Sequence, residues 1–303
     1  MHIVITGGTG TIGRRLVFHL IKHGHLVTVV SRQNYKPANL PAKINFAPWD
    51  GKTTAGWGNW VESADAIVNL AGAGIADAKW TEARKKEILE SRVQAGQAVV
   101  EAIRAASKKP QVLIQASAVG YYGPQHNGQL ITETSSAGND FLAKVCQAWE
   151  ASTERVEDSG VRRVIIRTGV VLDPQGGALP KLVFPFRLFA GGPIGLGRQW
   201  FPWIHYYDEV DAIRCLIENQ AATGPFNLAA PNPLRNRELA KVIGKVLKRP
   251  ALAPAPSFVF KLIFGEMATV LLDGQRVAPQ RLQELGYQFR FPQAEAALRD
   301  LLS

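Results

Sequence analysis

Cysteine is almost missing from this chain. Only Cys146 and Cys215 occur among 303 residues, which excludes a disulfide framework and a thiolate metal site. No other metal-ligand spacing is visible, so no metal is expected. A reducing compartment fits such usage. Long apolar runs are missing too. The apolar stretch over residues 257–272 is broken by Lys261, Gly265 and Glu266. It is too short and interrupted to span a bilayer and reads as a buried amphipathic helix. The start, Met1-His2-Ile3-Val4-Ile5, enters a strand pattern without the flank and apolar core of a signal peptide. The expected location is the cytoplasm, with no membrane partner. Internal repeats, blocks of like charge and known nucleic-acid motifs are absent, and no specific nucleic-acid partner is expected.

What is present belongs to a globular protein. The hydrophobic share is 46% and the charged share 20%, enough for a real core. The formal net charge is +10 and the pI about 9.7. Surplus surface lysine and arginine accounts for that balance; the sharper reading is attraction to anions such as a phosphorylated cofactor or an acidic substrate.

The first 172 residues alternate short apolar runs with longer helical ones. Strands are expected over residues 3–5, 26–30, 66–70, 112–117 and 164–167, and helices over 14–23 and 81–107. Gly24 closes the first helix. Short buried strands alternating with helices predict a doubly wound parallel sheet, Rossmann-type, in an α/β fold. That unit is assigned to residues 1–172, with a returning strand and helix near 200–230. Residues 173–303 are expected to form a smaller α/β substrate subdomain. There the texture changes. Gly176-Gly177, Gly191-Gly192-Pro193 and Gly195-Leu196-Gly197 break the chain among Phe184, Phe186, Phe189, Trp200, Phe201 and Trp203. Two readings stay open, a mobile wall over a pocket for a small, apolar or aromatic substrate, and an apolar subdomain that simply packs. A helix is expected over residues 236–247. A proline-spaced linker at 250–256 opens a final segment of about 250–303.

The sharpest signal is the turn Gly7-Gly8-Thr9-Gly10-Thr11-Ile12-Gly13. It follows the first strand and opens the first helix, the context in which such spacing marks a dinucleotide site. Glycines let the backbone approach a pyrophosphate closely, and the helix start presents free N–H groups and a partial positive charge. The second strand ends in Ser31-Arg32, where an NAD site places an acidic residue on the ribose 2′-hydroxyl. A hydroxyl and a guanidinium suit a 2′-phosphate. The expected cofactor is therefore NADP(H).

With these residues placed, the chain resembles the extended short-chain dehydrogenase/reductase superfamily. Within it, the chain looks like the NAD(P)-dependent epimerase/dehydratase-like branch of the SDR family 39U and YfcH-like proteins. The resemblance rests on the glycine turn, Val30-Ser31-Arg32, Asn69-Leu70-Ala71-Gly72, Glu87-Ile88-Leu89-Glu90-Ser91-Arg92, Arg167-Thr168-Gly169-Val170-Val171-Leu172, Gly191-Gly192-Pro193-Ile194-Gly195 and Phe201-Pro202-Trp203-Ile204-His205. Leu271-Leu272-Asp273-Gly274-Gln275-Arg276-Val277 resembles the branch's own C-terminal domain. The resemblance implies cofactor contacts from Gly7, Gly10, Thr11, Ile12, Gly13, Ser31, Arg32, Leu70, Ala71 and Gly72. It adds Glu87 and Arg92 on the following helix, and Val171 toward the nicotinamide end. Pairing through helices of the first domain, as in superfamily relatives, stays open.

Superfamily chemistry uses a tyrosine acid/base, a lysine four residues later that lowers its pKa, and a serine that polarises the substrate oxygen. Ser117 matches the serine region. Lys144 is present, but Asp140 stands where the tyrosine should. A register set by Glu150 instead puts Leu142 and Cys146 at the pair. Tyr121 or Tyr122 is then either the substitute acid, beside Lys144, or a residue that lines the pocket, and His205 is either a second candidate or a packed strand residue. Two functions follow. One is an NADP(H)-dependent oxidoreductase or nucleotide-sugar-epimerase-like enzyme. The other is an NADPH-binding regulatory or scaffold protein with a degenerate catalytic site.

Overall fold

A computed structural model describes residues 1–125 and 128–303. The N-terminal half alternates strand and helix: β1 (His2–Thr6), α1 (Thr11–Lys22), β2 (Leu26–Ser31), β3 (Asn45–Pro48), β4 (Ala66–Asn69), α2 (Glu82–Ala105) and β5 (Val112–Ala118). A short β6 (Leu130–Ile131) precedes α3 (Phe141–Ala151) and β7 (Arg162–Thr168). Next come β8 (Val170–Asp173), β9 (Gly176–Gly177), α4 (Leu179–Arg187), β10 (Trp200–Phe201), β11 (Trp203–His205), α5 (Tyr206–Glu218) and β12 (Gly224–Leu228). The chain ends with β13 (Leu234–Arg235), α6 (Asn236–Leu247), α7 (Ser257–Phe264), α8 (Thr269–Leu272), β14 (Arg276–Val277), α9 (Gln280–Glu284) and α10 (Ala294–Leu302).

The central sheet has seven parallel strands in the order β12-β7-β5-β4-β1-β2-β3. The strands are short, β-branched and buried along almost their whole length, as a sheet covered on both faces requires. One face packs α1 and α5 through Leu16, Val17, Leu20, Val210, Ile213 and Leu216. The other packs α2 through Ala95, Ala98, Val99 and Ile103, together with Trp57 and Val156. The strand order reverses between β1 and β4, so their C-terminal ends splay into a crevice, the usual ligand position in such sheets. A buried polar ladder pins those ends. Thr6, Asn69 and Gln115 stand at one register. Thr6 Oγ1 donates to Asn69 Oδ1 at 2.6 Å, and Asn69 Nδ2 donates to Gln115 Oε1 at 2.8 Å.

Beyond β7 a second apolar cluster forms from α4, α6 and α10, with Leu179, Val183, Phe186, Trp203, Leu239, Ile243 and Leu298 inside it. Phe186 and Trp203 are thus core, while Phe184 and Phe189 are exposed. Residues 257–272 depart from the expected single buried helix. Gly265 adopts φ +58 and breaks the run into α7, a short 3-10 turn and α8. Phe258 and Leu262 are 68% and 81% exposed, and among the described side chains of the segment only Met267 and Ala268 of the turn are buried. In an eight-residue helix with Phe258, Val259, Phe260, Leu262, Ile263 and Phe264, the apolar side chains cover more of the circumference than one neighbouring surface can bury. Among the described residues no helix is long and apolar enough to cross a membrane.

Candidate functional site

The crevice at the strand-order reversal is a cleft of about 560 Å3. Gly7, Gly10, Ser31, Arg32, Leu70, Ala71, Gly72 and Glu87 all line it, so residues scattered over the first 90 positions converge there. Gly7 takes φ +72, and a β-carbon on it would lie 2.9 Å from the Leu70 carbonyl carbon. Gly13 is turned inward. Its α-carbon packs on the Gly7–Gly8 backbone, and a β-carbon there would approach Gly8 Cα to 2.7 Å. Its part is to let α1 approach β1, not to touch a ligand. Helix α1 begins at Gly10 without a side-chain cap and without an acidic residue in its first turn. Its leading N–H groups and positive end therefore face the cleft uncompensated.

The far wall is polar. Ser31 is buried; its hydroxyl lies 3.0 Å from Thr9 Oγ1 and accepts from Gln33 N. Arg32 is exposed at the rim and lies against Gly51. Among the described residues it has no carboxylate partner. Glu87 is held by Arg84 Nη1 at 2.6 Å. The sequence reading missed further lining residues: Thr9, Trp49, the loop Asp50-Gly51-Lys52, Lys86, Ser91 and Gln94. Asp50 shapes that loop by accepting from Thr53 N and Lys52 N, each at 2.8 Å, which hold its carboxyl below the ordinary range. The motif it continues is a strand end followed by a turn, and nothing in its spacing distinguishes it from an ordinary loop.

Thr11, Ile12 and Val171 line a narrow crevice beside α1 together with Arg15, Asp173, Tyr206 and Glu209. Arg15 bonds Asp173 through Nε at 2.8 Å and Nη2 at 2.6 Å. Glu209 is fully buried and accepts from Thr168 Oγ1 at 2.8 Å, while its Oε2 has no partner among the described residues. Burial pushes this carboxyl up to about 8.

An inner pocket of about 240 Å3 lies beyond Gly72, at the C-terminal ends of β5 and β7. Its lining includes Ala118, Leu142, Cys146, Trp149, Thr168, Val170 and Arg92. Arg92 lines this pocket, and its guanidinium lies against Gly72 of the cleft wall. Burial pushes the Cys146 thiol up to about 11, which leaves it neutral at pH 7.

The expected catalytic set is not brought together in this pocket. Ser117 and Ala118 are neighbours on β5 and point to opposite faces. Ala118 meets the pocket, whereas Ser117 Oγ donates to buried Glu150 Oε1 at 2.6 Å. Tyr122 is buried, its hydroxyl donating to Asn227 Oδ1 at 2.7 Å and accepting from Arg167 Nη1 at 3.1 Å. Burial pushes it up to about 12, away from acid/base work near neutrality. Tyr121 lies under the Arg167 guanidinium, 3.5 Å from ring centroid to Cζ. Lys144 is exposed on the outer side of α3. Leu142 and Cys146, the pair given by the register set by Glu150, line the pocket together with Val145 and Trp149 of α3. His205 is packed between Phe291 and Tyr206 and accepts from Tyr207 N at 3.0 Å; burial draws it down to about 4. Of the six aromatics near the glycine loops, Trp200 lines an outer cavity. That outer cavity, about 780 Å3, shares Thr269 and Asp273 with the inner pocket.

Known proteins share both the sequence and this architecture. The model of the NAD dependent epimerase/dehydratase family matches residues 3–229, and that of a domain of unknown function, DUF1731, matches residues 255–301. The chain is 42% identical over 305 residues to the epimerase family protein SDR39U1 homolog, chloroplastic, of Arabidopsis thaliana, covering all of this chain and 87% of the relative. An epimerase family protein of Staphylococcus aureus strain MRSA252 is 37% identical over 301 residues, covering 99% of this chain and 98% of its own. Among solved structures, human epimerase family protein SDR39U1 with NADPH superposes with a TM-score of 0.91 at 38% identity, over 99% of both chains. The Thermus thermophilus UDP-glucose 4-epimerase complex with NAD gives 0.77 at 20% identity, over 100% of this chain and 98% of that one, a likeness of fold alone.

Proposed function

Because the chain belongs to the NAD dependent epimerase/dehydratase family, we propose that it is an NADP(H)-binding oxidoreductase of the extended short-chain type that acts on a small molecule without a tyrosine–lysine pair. The observation that carries the cofactor assignment is the pairing, across one cleft, of the uncapped α1 start with Ser31 and the unpartnered Arg32. The cradle fits a pyrophosphate, since a β-carbon at Gly7 would meet the Leu70 carbonyl. The α1 N–H groups would hold the diphosphate, and Ser31 and Arg32 the 2′-phosphate, with Lys52 adding positive charge. The cofactor, when bound, supplies or accepts a hydride at its nicotinamide. Leu70, Ala71 and Gly72 close the cleft on the side of the inner pocket, and the apolar side chains of that pocket exclude water from the substrate.

A second reading, an NADPH-binding regulatory or scaffold protein, draws support from the pocket itself. Ala118, Leu142 and Cys146 line it, while Ser117, Tyr121, Tyr122 and Lys144 do not. Loss of positioned acid–base groups removes on the order of 10²–10⁴ in rate from chemistry that needs proton transfer. We further infer a cytoplasmic location from the two free cysteines; the plant relative's name places that protein in the chloroplast.

Calorimetric titration with NADPH and NADH tests the cofactor. NADPH is expected to bind about tenfold or more tightly than NADH, with the preference lost in Arg32→Ala. Equal binding of both cofactors would overturn the assignment. Turnover of NADPH with a panel of carbonyl compounds and quinones separates the two functions. Tight binding without consumption on any member favours the regulator.

A further inference from the structure

Most of the chain's net charge of +10 is gathered in one part of it. Residues 179–205 and 234–256 hold α4, β10, β11, β13, α6 and the loops beside them. They carry nine lysines and arginines against a single acid, Glu238. Four of the nine, Arg237, Lys241, Lys245 and Lys248, recur at steps of three and four residues along α6 and its C-cap, and all four are exposed. That spacing makes one stripe. The opposite side of the helix, with Leu239, Ala240 and Ile243, is core. Among the described residues Lys245 alone of the four has a carboxylate partner, Glu295 at 2.7 Å.

Exposed apolar side chains surround this stripe. Residues 191–195 are laced to 253–255: Ala253 N donates to the Gly191 carbonyl at 3.2 Å, Ala255 N to that of Pro193 at 2.9 Å, and Gly195 N to that of Ala255 at 2.8 Å. Arg237 N donates to the Gly197 carbonyl at 3.0 Å, which ties the start of α6 to the same loop. Just past the other end of α6, Arg249 Cζ lies 4.3 Å from the Phe189 ring centroid. Phe189, Leu196 and Leu252 are thus held at the two ends of the basic stripe, and Leu196 and Leu252 are 73% and 84% exposed. Helix α7 follows directly, with Phe258, Leu262 and Ile263 exposed.

Large apolar side chains set in a cationic field exclude two ordinary occupants. A second copy seated face to face would bring this charge against itself. A nucleic acid would satisfy the lysines and arginines through its phosphates, but a phosphate backbone has nothing to offer Leu252, Leu262 or Ile263. An anionic bilayer answers both features. Its headgroups attract the lysines and arginines, and its acyl boundary takes up phenylalanine and leucine.

We propose that this face docks on the surface of an anionic lipid bilayer, with α7 and the loop side chains Phe189, Leu196 and Leu252 at the acyl boundary and the α6 stripe over the headgroups. Docking of this kind needs no spanning helix and is compatible with a cytoplasmic chain.

The test uses the full chain in co-sedimentation with vesicles of phosphatidylcholine, alone or with about one third phosphatidylglycerol. Partitioning onto the anionic vesicles is expected to be at least about tenfold stronger, and to fall at least about tenfold between about 0.1 and 0.5 M salt. Lys241→Glu combined with Lys248→Glu should weaken it at least about tenfold, since each basic residue near such a surface contributes about fivefold. Lys43→Glu combined with Lys108→Glu makes the same charge change outside this face and should stay within about threefold. Phe258→Ser combined with Leu262→Ser should lose at least about tenfold, while Phe18→Ser, on the exposed side of α1, stays within about twofold. NADPH affinity within about twofold of wild type checks that each variant is folded. Equal partitioning of the wild type onto neutral and anionic vesicles overturns the proposal, and this arm needs no variant. Equal losses in the two lysine pairs also overturn it, because net charge alone would then account for binding. So does a chain that is dimeric by light scattering and becomes monomeric with Phe258→Ser and Leu262→Ser, which would make the face a contact between copies.

Discussion

Arg167 grips Glu150 through two parallel hydrogen bonds, Nε to Oε1 and Nη2 to Oε2, each 2.9 Å long and both buried. This fork ties β7 to α3 beneath the inner pocket. It also gathers the serine and tyrosine that the sequence offers as catalysts. Ser117 adds a 2.6 Å bond to the same carboxylate, and Tyr122 bridges Arg167 to Asn227. The chain's own ion pair occupies the groups that a substrate would need.

The first prediction follows from that fork. Glu150→Gln leaves a buried guanidinium without its counter-charge and should cost about 3–5 kcal/mol in urea unfolding. Ser117→Ala and Tyr122→Phe each remove a hydrogen bond within the network and should cost about 1–3 kcal/mol. NADPH affinity should stay within about twofold in the last two, since neither side chain lines the cofactor cleft. A folded, fully stable Ser117→Ala protein that loses turnover by about 10²-fold or more would restore Ser117 to catalysis.

Lys144 offers a complementary control. It is exposed on α3 and away from the pocket. Lys144→Ala should leave stability within about 0.5 kcal/mol and NADPH affinity unchanged. A change of about tenfold in either binding or turnover would show that α3 rotates in solution to present it.

How far the sequence was legible depends on the kind of signal. Short β-branched runs and Gly7, Gly10 and Gly13 carry local constraints, so β1, α1, β2 and the cleft between β1 and β4 could be read directly. The pocket could not. Ser117 and Ala118 differ by one residue on a strand, and only the register of β5 against β7 decides which meets the pocket. Arg92 and Glu87 sit five residues apart on one helix, yet Glu87 faces the cleft and Arg92 the pocket behind Gly72. The apolar run over α7 and α8 misled for a different reason. Composition reports how much apolar surface a segment has, not whether a neighbour exists to cover it.

Gly13 tests the architecture of the turn. Its α-carbon is pressed against Gly7 and Gly8, and a β-carbon would force α1 away from β1. Gly13→Ala should lower stability by about 1–3 kcal/mol through overpacking and weaken NADPH binding by at least about tenfold. Gly24→Ala, which has open space but φ +81, should cost stability by about 1 kcal/mol and leave NADPH affinity alone. Differential scanning fluorimetry and calorimetry separate the two. Equal cofactor affinity in wild type and Gly13→Ala would mean that the turn does not hold the diphosphate.

Glu209 makes a prediction about pH. It is fully buried beside α1, its one side-chain bond among the described residues is to Thr168, and its carboxyl is raised from 4.5 to about 8. The folded state therefore holds a proton between those values that the unfolded chain releases. By linkage, stability contributed by the neutral acid is complete below about 4.5 and is lost as pH rises toward about 8, at a slope near 1.4 kcal/mol per unit. His205 acts in the opposite sense. Its folded value is drawn down to about 4, so its contribution grows as pH rises through the window up to 6.5. The two overlap between pH 4.5 and 6.5, and the wild-type curve alone cannot assign either. Subtracting the Glu209→Gln curve removes His205, which is common to both proteins. The variant should gain on the wild type steadily from about pH 5 to pH 8 and run parallel above it, read by urea unfolding at each pH. A constant difference over that range would show that Glu209 ionises normally in the folded protein, with water reaching its second oxygen.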